Sequence, residues 1–168
     1  CISKFRNQSR IGTSFPTEMI DATAIINEMR AVKSPAEISI MRKAGAINVQ
    51  AHLRMMQLCA AGMSEMQLAA EGLYVYGQNN CFELAYQSIV ATGSNACILH
   101  YRAGTRELKN GELVLIDMGE EYEWYASDVT RTFPVNGKFS GPQKVLYEIV
   151  LEAQRAAIMA TAPGKRFI

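Results

Sequence analysis

The stretch GELVLIDMGEEYEWYASDVTRTFPVNGKF, residues 111–139, decides how this chain is read. It opens on a continuous apolar run, Leu113 to Ile116, of the kind that makes a buried strand. Asp117 follows directly, and Asp128 closes the next aromatic-rich run, just before Val129. An unpaired buried carboxylate costs several kcal/mol, on the order of the stability of a whole domain. Asn110-Gly111 and Asn136-Gly137 mark turns at either end, and Gly119, Glu120 and Glu121 read as a hairpin turn between them. The run YEWYASDVTRTFPV then returns antiparallel, which sets Asp117 and Asp128 on neighbouring strands with converging carboxylates. Two carboxylates that close cannot both stay ionised unless a cation or a shared proton intervenes. Two readings stand. In one, Asp117 starts the turn and Asp128 pairs with Arg131. In the other, the pair forms part of a metal site with hard oxygen ligands, suited to manganese, magnesium or zinc.

Working outward, residues 1–17 are polar with little periodicity and read as a linker or the remnant of a terminal strand. Asp21 can cap a short helix carrying Ile25, Ile26 and Met29. Ser34, Pro35 and Glu37 form a helix start, with N-cap, first-turn proline and capping box in order. Ile40, Ala44, Ile47, Ala51, Met55 and Leu58 then recur at steps of three and four, one buried face, until Gly62. Ser64 with Gln67 begins a second helix with Met66, Ala69, Leu73 and Tyr76 on its apolar side. The period changes at AYQSIVATG and CILHY, short strand-like runs divided by the turn signal GSNA. After residue 139, Ser140, Pro142 and Gln143 start a last helix whose face is Leu146, Ile149, Ala153, Ala156 and Ala160. The expected class is α+β, helices packed on an antiparallel sheet, without βαβ alternation or a glycine-rich phosphate loop.

The 168 residues suffice for one core, with 49% hydrophobic and 20% charged residues. A net charge of +1, with basic residues scattered, gives no electrostatic case for nucleic acid or an anionic membrane. No apolar run approaches the roughly 18 residues of a membrane span. The four cysteines show no zinc spacing and read as reduced, mostly buried thiols of a cytoplasmic protein. Both ends look cut, so a fragment of a longer protein is expected.

Two further side chains could carry chemistry. His100 closes the run CILHY, expected to lie beside Asp117 on an adjacent strand of the same sheet; a lone histidine is otherwise structural. Tyr86 is either core packing or a phenol reaching the site from a neighbouring strand. His52, within the long helix, reads as structural, Trp124 and Tyr125 as packing the hairpin, and Glu120 and Glu121 as turn residues in water.

The segments KSPAEISIMRKAGAI, GSNACILHY, LVLIDMGEEYEWYASDVTRTFPVNGKF and QKVLYEIVLEAQ together closely resemble bacterial Xaa-Pro aminopeptidase (aminopeptidase P). The likeness runs from about Ile20 to the end, and D-x-G followed by SDVTRTFPVNGKF is its most specific part. That family has the pita-bread fold shared with prolidases and methionine aminopeptidases, two related α+β halves around a two-metal centre, usually manganese. The resemblance implies that residues 1–31 end a preceding amino-terminal domain and that 32–168 form the amino-terminal half of the catalytic domain. It implies that Asp117 binds one metal and that Asp128 bridges both. It implies that His100 holds the peptide or stabilises its tetrahedral intermediate, and that Tyr86 lies near the metal-bound aspartate. The family's other ligands, one histidine and two glutamates, have no match after Asp128, so this chain by itself is expected to be inactive. The intact enzyme would remove the first residue from peptides with proline second, as a homo-oligomer, in the cytoplasm. Two rivals are a prolidase acting on Xaa-Pro dipeptides and a non-catalytic pita-bread module that binds a partner protein.

Overall fold

The computed structural model describes residues 20–166; the segment read as a linker, 1–17, lies outside them. Contacts divide the chain into two units, up to Glu37 and from Ile38 onward. Helix α1, Thr23–Ala31, buries none of its residues, and the Asp21 carboxylate accepts the Thr23 N–H at 2.8 Å. Helix α2 spans Pro35–Leu58 and α3 spans Glu65–Gln78. Both begin as their sequences dictate. The Ser34 N–H donates to the Glu37 carboxylate at 2.6 Å, and Ser64 with Gln67 closes a full capping box.

Helix α2 turns Ala44, Ile47, Asn48, Ala51, His52 and Met55 inward, so the expected face is right but carries two polar residues. On α3 the expected face is rotated. Leu68, Ala69, Gly72 and Tyr76 are buried, whereas Met66 and Leu73 are exposed. Gly72 explains the rotation: a Cβ there would lie 2.9 Å from Met55 Sδ and 3.0 Å from Met118 Cε. The helix packs through the residue with no side chain, which brings those two methionines onto its backbone.

Six strands follow, β1 Glu83–Leu84, β2 Ile89–Thr92, β3 Leu113–Met118, β4 Glu120–Tyr122, β5 Tyr125–Ala126 and β6 Val129–Pro134. They form two antiparallel three-stranded sheets, ordered β1-β4-β5 and β2-β3-β6. Because β1 runs on to β2, β3 to β4 and β5 to β6, three chain segments each cross from one sheet to the other. The register sets Ile89 and Thr130 on either side of Asp117. Alternation on β3 buries Val114, Ile116 and Met118 among α2 and α3 and leaves Leu113, Leu115 and Asp117 half-buried on the opposite face.

Four expectations for this region are corrected. CILHY is not a strand: Gly93–Cys97 is a 3₁₀ turn, and His100 lies in the turn beyond it with φ +52°. The hairpin turn is not at Gly119 to Glu121 but at Glu123 and Trp124, both left-handed at φ +50° and +67°, flanked by the pair Tyr122 and Tyr125. Trp124 therefore stands 91% exposed at the tip instead of packing, and Glu120, expected in water, is fully buried. Gly119 serves another purpose. A Cβ on it would fall 1.8 Å from the Ser127 carbonyl oxygen, so only glycine lets these two segments touch.

The last helix, α4, Gly141–Ala160, has its capping box at Ser140 and Gln143 but buries no residue. It faces the open side of the sheet across a cleft of about 520 Å³ lined by Leu113, Thr130, Thr132, Tyr147, Val150 and Leu151. Of the expected stripe Leu146 also lines the cleft, whereas Ile149, Ala153, Ala156 and Ala160 do not, and Tyr147, Val150 and Leu151 take their place.

Burial pushes the His52 pKa down, and its Nδ1 lies 3.1 Å from the Asn48 carbonyl. The unfolded chain binds a proton near pH 6.5 that the folded chain refuses, so stability falls as pH drops below about 6.5 toward the folded pKa. Urea unfolding at pH 7.5 and 5.5 should show this loss, and His52→Gln should reduce it. The difference between the two proteins isolates His52 from Glu120, whose raised pKa acts with the opposite sign.

Candidate metal centre

The site lies where the three bent segments change sheets. Tyr86 falls between β1 and β2, Asp117 near the end of β3, and Asp128 between β5 and β6. At this level each ladder is interrupted, which turns side chains toward one another that an unbroken sheet would hold in parallel rows. Tyr86 Oη lies 2.5 Å from Asp117 Oδ1 and 2.9 Å from Asp128 Oδ1. The structure thus brings Asp117, Asp128 and Tyr86 together. Asp117 sits within a strand rather than starting a turn. Arg131 donates to the Thr130 carbonyl at 2.7 Å and forms no described ion pair with Asp128.

Burial first, and then the hydrogen bonds and charges of the two aspartates, push the Tyr86 phenol far above the usual tyrosine range. It stays protonated and acts as a donor. A phenol has one proton, however, and two carboxylates approach it. One carboxylate takes the hydrogen bond, and the other is left with negative charge facing oxygen. Two hard oxygen ligands with surplus charge on an open face fit a divalent cation. They do not complete a site: among the described residues no group of three histidine, cysteine or carboxylate side chains is placed to hold a metal.

His100 is exposed, and none of the described hydrogen bonds links it to Asp117 or Asp128. Its loop is nevertheless held firmly by a residue that sequence reasoning passed over. Glu65 is fully buried at the start of α3. Its Oε1 accepts from the Thr92 N–H at 2.9 Å and Asn95 Nδ2 at 3.0 Å; its Oε2 accepts from Tyr101 Oη at 2.8 Å and the Gly104 N–H at 3.2 Å. Four donors satisfy the carboxylate, and all come from residues 92–104, the segment that carries His100. In the sequence Glu65 is an acidic residue in a first helical turn, a common surface placement that hides this role.

A second buried network lies behind the aspartates. Asn48, Tyr76, Ser127 and Glu120 are linked by hydrogen bonds: Tyr76 Oη to Asn48 Oδ1, Asn48 Nδ2 to Ser127 Oγ, and Ser127 Oγ to Glu120 Oε2. Burial raises the Glu120 pKa, and its Oε1 has no partner.

Comparison with known proteins bears on this arrangement. Residues 39–168 match the model of metallopeptidase family M24. The chain is 44% identical over 163 residues to Xaa-Pro aminopeptidase of Escherichia coli K12, covering 97% of this chain and 37% of that protein. It is 47% identical over 148 residues to Xaa-Pro aminopeptidase of Haemophilus influenzae, covering 88% and 34%. The fold superposes with a TM-score of 0.85 on zinc-substituted E. coli aminopeptidase P in complex with product, over 97% of this chain and 37% of that one. The chain therefore spans only 37% and 34% of the lengths of these curated relatives. The helices on antiparallel sheets belong to the pita-bread fold of aminopeptidase P.

Glu65→Ala should strand several buried donors and lower stability by about 2–4 kcal/mol. The loop at 92–104 should lose amide-exchange protection well before the β3–β6 ladder does. Equal loss in both places would mean that Glu65 supports the whole core and not this loop.

Proposed function

We propose that this chain, which belongs to metallopeptidase family M24, forms the amino-terminal half of the catalytic domain of an Xaa-Pro aminopeptidase. In this reading residues 1–31 end a preceding domain and 32–168 carry part of the active site. The observation that carries it is the convergence of Asp117 and Asp128 on the one hydroxyl of Tyr86. Together with the family membership, it favours a centre of two divalent ions, most naturally manganese, held on this side by Asp117 and Asp128. The metal, when bound, supplies Lewis-acid activation of water and of the scissile carbonyl at neutral pH.

The chain's own residues have separable tasks. Asp117 and Asp128 provide negative charge and hard oxygens. Tyr86 keeps its proton and orients one carboxylate by donation while its oxygen faces the other. His100 stands in an exposed turn whose base is fixed through Glu65, so its imidazole can hold a peptide or stabilise developing negative charge on it. The remaining ligands would come from sequence beyond these residues. The substrates are peptides with proline at the second position, handled by a homo-oligomer in the cytoplasm. The described cysteines Cys59, Cys81 and Cys97 are unpaired, which suits a reducing compartment, and no described helix is long and apolar enough to cross a membrane.

In the intact protein, Asp128→Asn should abolish hydrolysis of an Xaa-Pro-Xaa tripeptide, by about a thousandfold or more, with little change in Tm. A neutral amide cannot balance the charge of two cations. Turnover near wild type with both ions bound would sink the assignment. His100→Ala should cut turnover by about ten- to a hundredfold while metal content stays the same; loss of metal there would make His100 a ligand instead. Faster cleavage of Xaa-Pro dipeptides than of tripeptides would point to a dipeptidase.

The 168-residue chain alone should bind manganese weakly and show no peptidase activity, since two carboxylates leave most of each ion's coordination to water. Calorimetric titration with manganese, with tripeptide hydrolysis alongside, checks this. Micromolar binding with turnover would show the half to be self-sufficient.

A further inference from the structure

We propose that Asn48 is a positioning residue for the metal centre, holding Asp117 and Asp128 at their separation from the buried side of the sheet. The inference rests on the reading of those two aspartates as metal ligands.

Asn48 lies on α2, fully buried, and its single Nδ2 donates twice. One bond goes to the Met118 carbonyl at 2.8 Å and the other to Ser127 Oγ at 2.9 Å. Met118 is the residue after Asp117, and Ser127 is the residue before Asp128. One rigid carboxamide therefore grips both ligand-bearing segments, each within one residue of its aspartate. The orientation of the amide is settled by its partners. A carbonyl can only accept, so nitrogen must face Met118, and Tyr76 Oη donates to the remaining oxygen at 2.9 Å. The Ser127 hydroxyl spends its own proton on Glu120 Oε2 at 2.6 Å, which leaves it an acceptor toward Asn48.

This placement is not what stability alone would select. A leucine of similar size would fill the core without four polar groups needing mutual satisfaction. What the asparagine adds is a set distance. The segments it joins already touch where Gly119 meets the Ser127 carbonyl, so they have no slack to take up if the clamp is lost. A shift at Met118 or Ser127 then passes directly into the carboxylate spacing. Metal affinity depends on that spacing, and groups that orient ligands typically change it by about ten- to a hundredfold.

The test uses the intact protein loaded with cobalt(II) alone, whose visible absorption reports coordination geometry. Asn48→Leu should weaken cobalt binding by about ten- to a hundredfold and alter the absorption band. Ser127→Ala, which removes the link toward Asp128 along with the Ser127 Oγ bonds to Glu120 but keeps the Asn48 bond to Met118, is expected to weaken binding by about fivefold or more. Tyr76→Phe removes a bond of the same network but leaves both Nδ2 contacts. It should lower Tm while keeping cobalt affinity within about twofold and the spectrum unchanged. Lowered Tm in Asn48→Leu and Ser127→Ala with wild-type affinity and spectrum would overturn the proposal, as would an equal loss of affinity in Tyr76→Phe. A wild-type protein that takes up no cobalt would overturn the metal reading itself, a result distinct from either.

Discussion

Everything at this site depends on how closely two backbones approach at one point. Gly119 lies so near the Ser127 carbonyl that any side chain would collide with it. The contact sits where β3 gives way to β4 and β5 gives way to β6, and there the chain leaves one sheet for the other. A regular ladder would keep side chains on successive strands pointing the same way, about 5 Å apart. The break lets Tyr86, Asp117 and Asp128 converge on a single point. The same local constraint thus separates the sheets and assembles the carboxylates.

Behind that point the core is unusually polar. Asn48, Glu65 and Glu120 are all fully buried, and each would destabilise the fold without partners. Glu65 has four donors, and Asn48 uses both of its N–H groups and its oxygen. Each ties a helix to a distant segment of the chain. Glu65 ties α3 to the segment carrying His100, and Asn48 ties α2 to the segments carrying Asp117 and Asp128. Apolar residues could hold helices to sheet, but only directional bonds fix a loop or a carboxylate to a fraction of an ångström. Glu120 differs, since one of its oxygens has no partner and burial keeps its pKa raised.

The two faces of the β2-β3-β6 sheet are treated differently. Val114, Ile116 and Met118 are sealed by α2 and α3, while Leu113, Thr130 and Thr132 look toward a cleft that α4 only partly closes. Apolar area left open in this way normally marks a surface that meets further structure. Asp117 alternates with the buried residues of β3 and so lies on the same open side.

Local signals in the sequence were enough for the helices, because each cap is a short-range hydrogen-bond pattern. Ser34 with Glu37, Ser64 with Gln67 and Ser140 with Gln143 all form as their spacing requires. The antiparallel return of the segment carrying Asp128 was legible too, but its register was not, because the turn lies at Glu123 and Trp124 instead of Gly119 to Glu121. The sequence also sufficed for the family, through a motif long enough to be specific. What it could not reveal depends on contacts far apart along the chain. The rotation of α3 is set by Met55 and Met118 meeting Gly72, and the displaced hairpin turn by Glu120 finding Ser127 in the core. His100 looked like the end of a strand because CILHY is apolar, yet its loop is shaped by Glu65, 35 residues upstream in sequence. Asn48 carries no signal of its own in the sequence. Only the tertiary structure shows that its amide lies between the two segments bearing the aspartates, because a directional bond has meaning only when both of its partners are in place.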